Sequence, residues 1–188
     1  MSTVLGKPQI TPDELLELPD DARFELVDGQ LVRKEMSLLA AWVASRINKR
    51  LGIVVEPQEL GVVLTSDASY RCFGDDPDRI RRPDISFIQR ARMRPEYVKG
   101  HIPIAPDLAV EVVSPNDLFF DVRRKAGEFE RAGTRLVWVV NPDKREIEIF
   151  RSDGSHSFLR GDEYLEGENV VPGFRCPLTE IFQSPPMG

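Results

Sequence analysis

The feature of the sequence that most constrains the fold is the apolar run Leu-Val-Trp-Val-Val at residues 136–140. Turn-forming residues bound the run on both sides, with Gly133 before it and Asn141-Pro142 after it. A short, continuous apolar run of this kind is typical of a buried central strand of a β-sheet. The rest of the chain must therefore supply neighbours that pair with this strand and cover it.

Local patterns predict the elements that surround this strand. In the first half of the chain we expect a helix at residues 12–18, a hairpin at 24–33, a helix at 36–51 and strand material at 53–65. Thr11 is a suitable N-cap for the first helix, Asp28-Gly29 a suitable hairpin turn, and Gly52 a suitable end for the second helix.

The second half continues the alternation of strands and helices. Its predicted elements are strands at 83–88, 107–113, 136–140, 145–151 and about 164–171, a basic connection at 89–106, and a helix at 118–131. Asp117 is the expected N-cap of that helix, and Gly133 its expected end. This order predicts an α/β domain with a mixed central sheet, because the helices are too few for a doubly wound one. We expect one domain over residues 1–188, with its core at about 24–182.

Composition limits the chemistry that the chain can support. No apolar run approaches the ~20 residues that span a bilayer, and residues 1–8 lack the apolar core of a signal peptide. We therefore expect a cytoplasmic protein with no membrane partner. The two cysteines lie far apart and there are only two histidines, which excludes zinc clusters and three-histidine sites. A metal ion would need oxygen ligands, and these favour Mg²⁺, with Mn²⁺ as the alternative.

Charge is distributed unevenly along the chain. The net charge of −6 counts against a protein that coats nucleic acid non-specifically. Basic residues nevertheless crowd one stretch, which contains Arg79, Arg81, Arg82, Arg90, Arg92, Arg94 and Lys99. The stretch is interpreted either as a local nucleic-acid-binding surface, with Arg79, Arg81 and Arg82 as the candidate contacts, or as an ordinary solvated face.

Two acids are notable because they lie within predicted strands. Glu111 is surrounded by apolar residues in the strand at 107–113, and Asp84 has a similar setting in the strand at 83–88. A buried carboxylate is costly unless it meets a cation, a hydrogen-bond donor or a metal ion. Pairing with an arginine and binding of a metal ion are both open interpretations for each acid.

One lysine is directed toward the same sheet. The helix predicted at 118–131 has a buried stripe formed by Leu118, Val122, Ala126 and Phe129 at ~100° per residue. Lys125 falls within this stripe, so its natural partner is a strand acid such as Glu111, with a purely structural ion pair as the alternative. Two acids and an inward lysine meet the needs of metal-assisted phosphodiester hydrolysis. The acids would hold Mg²⁺, and the lysine would orient or deprotonate water or stabilise the developing charge.

Several segments carry a resemblance to a known family. They are Arg-Pro-Asp-Ile-Ser at 82–86, Ala-Pro-Asp-Leu-Ala-Val-Glu-Val-Val-Ser-Pro-Asn-Asp at 105–117, Asp121 through Lys125, Ala-Gly-Thr-Arg-Leu-Val-Trp-Val-Val-Asn-Pro at 132–142, and the hairpin at 24–32. Together they resemble the Uma-type endonucleases of the PD-(D/E)XK superfamily. The resemblance implies a restriction-endonuclease-like core whose mixed sheet is flanked by helices, with an N-terminal hairpin and C-terminal strands.

The resemblance also implies roles for particular residues. Asp84 corresponds to the motif aspartate and Glu111 to the motif acid, both as metal ligands, and the Val112 carbonyl is a further candidate ligand. The superfamily usually has a lysine two residues after the motif acid, but Val113 stands there in this chain. Lys125 resembles a migrated lysine that arrives from the next helix.

An additional acid near the first core helix often completes sites of this superfamily. Glu35 and Glu25 are the candidates, and a structural salt bridge is the alternative for each. The leading hypothesis is a Mg²⁺-dependent endonuclease that acts on DNA as a homodimer, so that both strands are cut. The alternatives are a catalytically inactive nuclease-fold module that binds nucleic acid or protein, and a hydrolase of small phosphoesters.

Overall fold

The computed structural model describes residues 10–115 and 117–186 of the chain. The helices are α1 (Pro12–Leu16), α2 (Leu38–Val55), α3 (Phe119–Arg131) and α4 (Leu178–Ile181). The strands are β1 (Phe24–Val27), β2 (Gln30–Arg33), β3 (Gly61–Thr65), β4 (Ile85–Gln89), β5 (Leu108–Val112), β6 (Leu136–Asn141), β7 (Glu146–Arg151), β8 (His156–Arg160), β9 (Tyr164–Glu166) and β10 (Arg175–Pro177). Three short 3₁₀ turns lie at Asp21–Arg23, Arg90–Arg92 and Pro95–Val98.

Six strands form a mixed central sheet in the order β3-β4-β5-β6-β7-β8. The pair β5–β6 is parallel, and the other neighbouring pairs in this sheet are antiparallel. Because a parallel pair needs a crossover connection, α3 links β5 to β6 across one face. The predicted α/β fold with a mixed sheet is confirmed, and residues 136–140 form a central strand in which every side chain is buried.

Each face of the sheet packs against a different helix. Alternation along β5 and β6 directs Leu108 and Trp138 toward α2, and Ala109 and Val139 toward α3. Glu111 shares the face of Ala109, because side chains two residues apart on a strand point the same way. The strand pattern therefore places an acid in the layer between the sheet and α3.

The N-terminal elements follow the sequence prediction closely. Thr11 caps α1 and forms a capping box with Glu14, although the helix ends at Leu16, earlier than expected. β1 and β2 form the predicted hairpin. Its turn residues Asp28 and Gly29 have φ values of 50° and 73°, as a tight two-residue hairpin turn requires.

The second predicted helix is longer than expected. α2 continues to Val55, so the prediction that Gly52 ends it is wrong. The reason lies in the series Ile47, Leu51 and Val55, whose side chains are fully buried at helical spacing and stay in the core only if the helix continues. The strand material expected at 53–65 is accordingly reduced to β3.

The start of α3 also differs from the prediction. Asp117 is not the N-cap, because its carboxylate accepts a hydrogen bond from Ser114 N at 2.7 Å instead. Leu118 occupies the N-cap position without a side-chain hydrogen bond. It is 62% exposed and does not belong to the buried stripe. The helix ends before Gly133, whose φ of 98° suits the predicted terminator.

The C-terminal strands differ in part from the sequence prediction. β8 completes the central sheet, but its side chains are exposed or half-buried and give only a weak sequence pattern. The strand predicted at 164–171 is limited to β9, which pairs with β10 in a separate two-stranded sheet. The chain turns at Gly167, whose carbonyl accepts hydrogen bonds from Val170 N and Val171 N.

A further expectation concerns the membrane, and the structure also gives the state of the two cysteines. Within the described residues, no helix is long and apolar enough to cross a membrane. Cys72 and Cys176 are both free thiols. The absence of a signal peptide was inferred from residues 1–8, which lie outside the described residues, as do the ends of the proposed domain.

Candidate active site

The two predicted acids lie at one end of β5. Asp84 directly precedes β4, and its backbone N–H donates to Val110 O at 3.0 Å. Its side-chain Oδ2 accepts a hydrogen bond from Val112 N at 2.6 Å. Glu111 lies between those two β5 residues and is buried, as is Asp84. The pairing of β4 with β5 thus brings together two carboxyl groups that are distant in sequence.

Lys125 reaches this end of β5 from the buried side of α3. Its Nζ lies 3.0 Å from Glu111 Oε2 and 2.7 Å from Glu25 Oε1, and it donates to Arg82 O at 2.8 Å. An ammonium group has three N–H donors, and these three acceptors can use all of them. The inward direction expected from the helix periodicity is therefore observed, and the lysine is held firmly.

Lys34 is a second lysine in the site, and sequence reasoning missed it. Its Nζ lies 2.7 Å from Asp84 Oδ1 and donates to Arg82 O at 2.6 Å. Lys34 directly follows β2 in the charged run Arg33-Lys34-Glu35, and such a run is ordinarily solvated. Only the docking of the hairpin against Asp84 shows that one member of the run points inward.

Buried ion pairs lie next to the site and hold its residues in place. Arg81 donates to Glu25 Oε2 at 2.9 Å and forms a two-point contact with Glu128, at 2.6 and 2.9 Å. Glu25 Oε1 also accepts a hydrogen bond from Arg82 N at 2.7 Å. Arg81 therefore connects the hairpin carboxylate that contacts Lys125 with Glu128, one turn further along α3.

The three arginines that were candidates for nucleic-acid binding are all buried. Arg79, Arg81 and Arg82 are 9%, 4% and 1% exposed, respectively. Arg79 pairs with Asp75 at 2.9 Å, and Arg82 Nε donates to Phe24 O at 3.0 Å. Their guanidinium groups donate to acceptors within the protein. Their burial therefore gives no support to a nucleic-acid-binding role, which stays a prediction.

Burial and neighbouring charges shift the pKa values of the ionisable groups of the site in different directions. Burial raises the pKa of Glu111 to about 7, an effect that the Lys125 charge opposes and the Asp84 charge reinforces. Burial would lower the pKa of Lys125, but the negative charges of Glu111, Glu25 and Asp84 together raise it above its usual value. Burial would likewise raise the pKa of Glu25, but Lys125, Arg81 and Lys34 hold it well below its usual range. Lys125 is thus a stable ammonium, Glu25 a stable carboxylate, and Glu111 the group that titrates near neutral pH.

A cavity of about 370 Å³ lies between the end of β2 and the first turns of α3, and Lys34, Asp84, Glu111, Val112 and Lys125 contribute to its lining. Within the described residues, Glu111 Oε1 is buried without a hydrogen-bond partner, whereas Asp84 Oδ1 is buried with the Lys34 ammonium 2.7 Å away. Buried carboxylate oxygens that lack donors are the ligands that a divalent cation prefers. The donor set therefore fits Mg²⁺ or Mn²⁺.

Few of the described acids other than Asp84 and Glu111 are placed to act as metal ligands at the site. Among residues 10–115 and 117–186 there is no group of three or more acidic, histidine or cysteine side chains suited to a metal ion. Glu25 is committed to Lys125 and Arg81, and Glu35 is an exposed residue 3.6 Å from Arg33. Both form the ion pairs that the sequence left open as alternatives. Their auxiliary role, and that of the Val112 carbonyl, stay predictions.

The fold and the position of this site define an α/β protein with two buried acids and a lysine at the end of a central strand. The chain is similar to a crystal structure described as a "putative nuclease" of the DUF820 group from Anabaena variabilis. The two share 24% identity over 92% of this chain and 97% of the other, with a TM-score of 0.78, which establishes the fold.

The chain belongs to the Uma2 family, described as "Putative restriction endonuclease", whose profile matches residues 12–179. This confirms the resemblance found in the sequence. No curated protein matches the chain. Family and fold together support a nuclease.

Proposed function

We propose that the protein is a divalent-metal-dependent endonuclease that hydrolyses phosphodiester bonds, with DNA as its substrate. The observation that carries this proposal is the pair of buried carboxylates, Asp84 and Glu111, that line one cavity. Within the described residues, Glu111 Oε1 has no hydrogen-bond donor, and Asp84 Oδ1 contacts only the ammonium of Lys34. Such atoms are unfavourable in a folded protein unless a cation compensates them. Membership of the Uma2 family supports the assignment to nucleic acid.

Asp84 and Glu111 are the residues that would hold Mg²⁺ or Mn²⁺, with the Val112 carbonyl as a further ligand. The ion would polarise the phosphate and lower the pKa of a bound water. The hydrogen bond from Val112 N holds Oδ2 of the Asp84 carboxylate, so that Oδ1, which Lys34 contacts, is the oxygen that would bind the cation. The Asp84 carboxylate itself then needs little reorientation when the cation binds.

Lys125 acts as a fixed positive charge in this proposal and not as a general base. Its raised pKa keeps the ammonium form, because three acids surround it. The positive charge of an ammonium beside Glu111 can stabilise negative charge that develops on the phosphate, without a free N–H donor. This narrows the roles that the sequence left open for the lysine.

A catalytically inactive module is the second candidate function. It is favoured by the two lysines, since Lys34 and Lys125 already pair with Asp84 and Glu111 without any metal ion. Such a module would bind a nucleic acid or protein partner and cleave neither DNA nor RNA. The homodimer and the cytoplasmic location remain proposals under either function.

A crystal soaked in Mn²⁺ tests the proposed function directly. We expect anomalous density within ligand distance of Asp84 and Glu111, together with cleavage of a DNA duplex that stops in excess chelator. The chelated protein resupplied with Mg²⁺ is the control for irreversible loss of activity. Absence of anomalous density at these acids after a soak in saturating Mn²⁺ would contradict the proposal. Full cleavage in excess chelator would contradict it too.

Metal binding should become tighter as the pH rises through about 7. The pKa of Glu111 is raised to about 7, so below this value the carboxyl group must lose a proton before it can bind a cation. Each pH unit below the pKa should weaken binding about tenfold, and binding should level off above it. Mn²⁺ titration calorimetry from about pH 5.5 to about pH 8.5 measures the effect. Affinity that does not vary over this range would show that Glu111 is not a ligand.

A further inference from the structure

Lys34 occupies the position at Asp84 that the proposed metal ion requires. Its ammonium lies 2.7 Å from Asp84 Oδ1, the buried carboxylate oxygen that the Val112 N hydrogen bond leaves unused. A divalent ion bound to that oxygen would lie beside a positive charge in a poorly solvated cavity, where like charges repel strongly. Lys34 and a metal ion therefore cannot both be close partners of the same oxygen.

The two lysines of the site differ in how firmly they are held. Lys125 has three acceptors and a 10% exposed side chain, and it pairs with two buried acids. Lys34 has one ion pair and one backbone acceptor, the Arg82 carbonyl, and its side chain is 17% exposed. Because Lys125 also donates to that carbonyl, the carbonyl keeps a donor when Lys34 leaves. Lys34 is accordingly the lysine that can move.

The freed ammonium would stay in the cavity. The backbone of Lys34 is fixed to the hairpin, since its N–H donates to Arg23 O at 2.8 Å. The side chain can therefore swing but not withdraw, and it lines the same cavity as Asp84 and Glu111. The other acids that line the cavity already have partners: Glu25 contacts Lys125, Glu35 contacts Arg33, Asp117 accepts from Ser114 N, and Asp121 contacts Arg124. A phosphate oxygen of the substrate is then an anionic group that the lysine can bind.

We propose that Lys34 is an exchangeable cation, which neutralises Asp84 before metal binds, yields Asp84 Oδ1 to the metal ion, and then binds a phosphate oxygen of the nucleic acid. The inference rests on the proposed function and adds a substrate-contacting residue to it. It assigns opposite effects to one side chain, because Lys34 opposes metal binding and favours substrate binding.

Metal affinity of the full chain tests the first half of the proposal. Lys34→Met and Lys34→Gln should each bind Mn²⁺ about tenfold more tightly than the unmodified protein in calorimetry, because the competing ion pair is lost. Arg33→Met is the matched control, since Arg33 is the adjacent residue, is 50% exposed and pairs with Glu35 instead of Asp84. Its Mn²⁺ affinity should change less than about twofold. Glutamine retains a donor for the Arg82 carbonyl, so agreement between the two Lys34 variants excludes a packing defect.

Substrate affinity tests the second half. At saturating Mn²⁺, both Lys34 variants should bind a cleavage-resistant phosphorothioate DNA duplex at least about fivefold more weakly than the unmodified protein. Unchanged Mn²⁺ affinity relative to Arg33→Met, or unchanged duplex affinity, would overturn the proposal. Failure of the proposed function looks different, because the unmodified protein itself would then neither bind Mn²⁺ nor cleave an ordinary duplex.

Discussion

Asp84→Asn should lower the rate of DNA cleavage by at least about 100-fold, because it removes a charged metal ligand from the transition-state environment. The fold should persist, since the asparagine side-chain oxygen can still accept the hydrogen bond from Val112 N that Asp84 Oδ2 accepts now. Single-turnover cleavage of a labelled duplex, together with Mn²⁺ calorimetry, measures both the chemical step and the loss of metal.

Asp121→Asn is the matched control for this experiment. Asp121 lines the same cavity, but its side chain is 41% exposed and pairs with Arg124 at 3.5 Å. The control should keep Mn²⁺ affinity close to that of the unmodified protein, and thermal unfolding should show both variants folded. Undiminished cleavage by folded Asp84→Asn would remove Asp84 from the active site.

Arg81→Met should destabilise the protein by about 3–5 kcal/mol, because it leaves the buried carboxylates of Glu25 and Glu128 without their shared cation. Arg81 and both acids are less than one-tenth exposed, so water cannot replace the lost contacts. Urea unfolding, monitored by the fluorescence of buried Trp138, measures the free energy of unfolding.

Two controls test whether the loss of stability comes from the buried ion pairs: a variant of an exposed arginine and a double variant. Arg124→Met removes a 41% exposed guanidinium whose ion pairs are long, and it should cost less than about 1 kcal/mol. Adding Glu128→Gln to Arg81→Met should recover part of the loss, because one unpaired charge disappears. A cost below about 1 kcal/mol for Arg81→Met would mean that the buried ion pairs do not stabilise the fold.

Much of the site could be predicted because its signals are local. The alternation of β5 gives the direction of Glu111, and the periodicity of α3 gives the direction of Lys125. Each pattern needs only a few consecutive residues. The central position of β6 could be predicted equally well. A strand that is apolar on both faces is stable in a small domain only where both faces are covered.

The remainder depends on contacts between distant segments. Lys34 points inward because the hairpin docks beside Asp84, and no short-range pattern encodes that docking. Arg79, Arg81 and Arg82 form a basic cluster in sequence, but their partners lie on β1, in α3 and in neighbouring loops. Burial of a charged residue is set by such partners, so composition alone could not distinguish these arginines from a solvated face.

The lysine that contacts Glu111 lies on α3 and not on the strand that carries the acid. The helix crosses from β5 to β6 and brings the Lys125 ammonium to Glu111. Under the proposed function, it would supply the lysine that the usual superfamily motif places on the strand itself. Val113 is then free to contribute to packing on the α3 side of the sheet. A search for a lysine two residues after the acid overlooks this chain. A search for an ammonium nitrogen about 3.0 Å from a carboxylate at the end of a central strand finds it, whichever element carries the lysine.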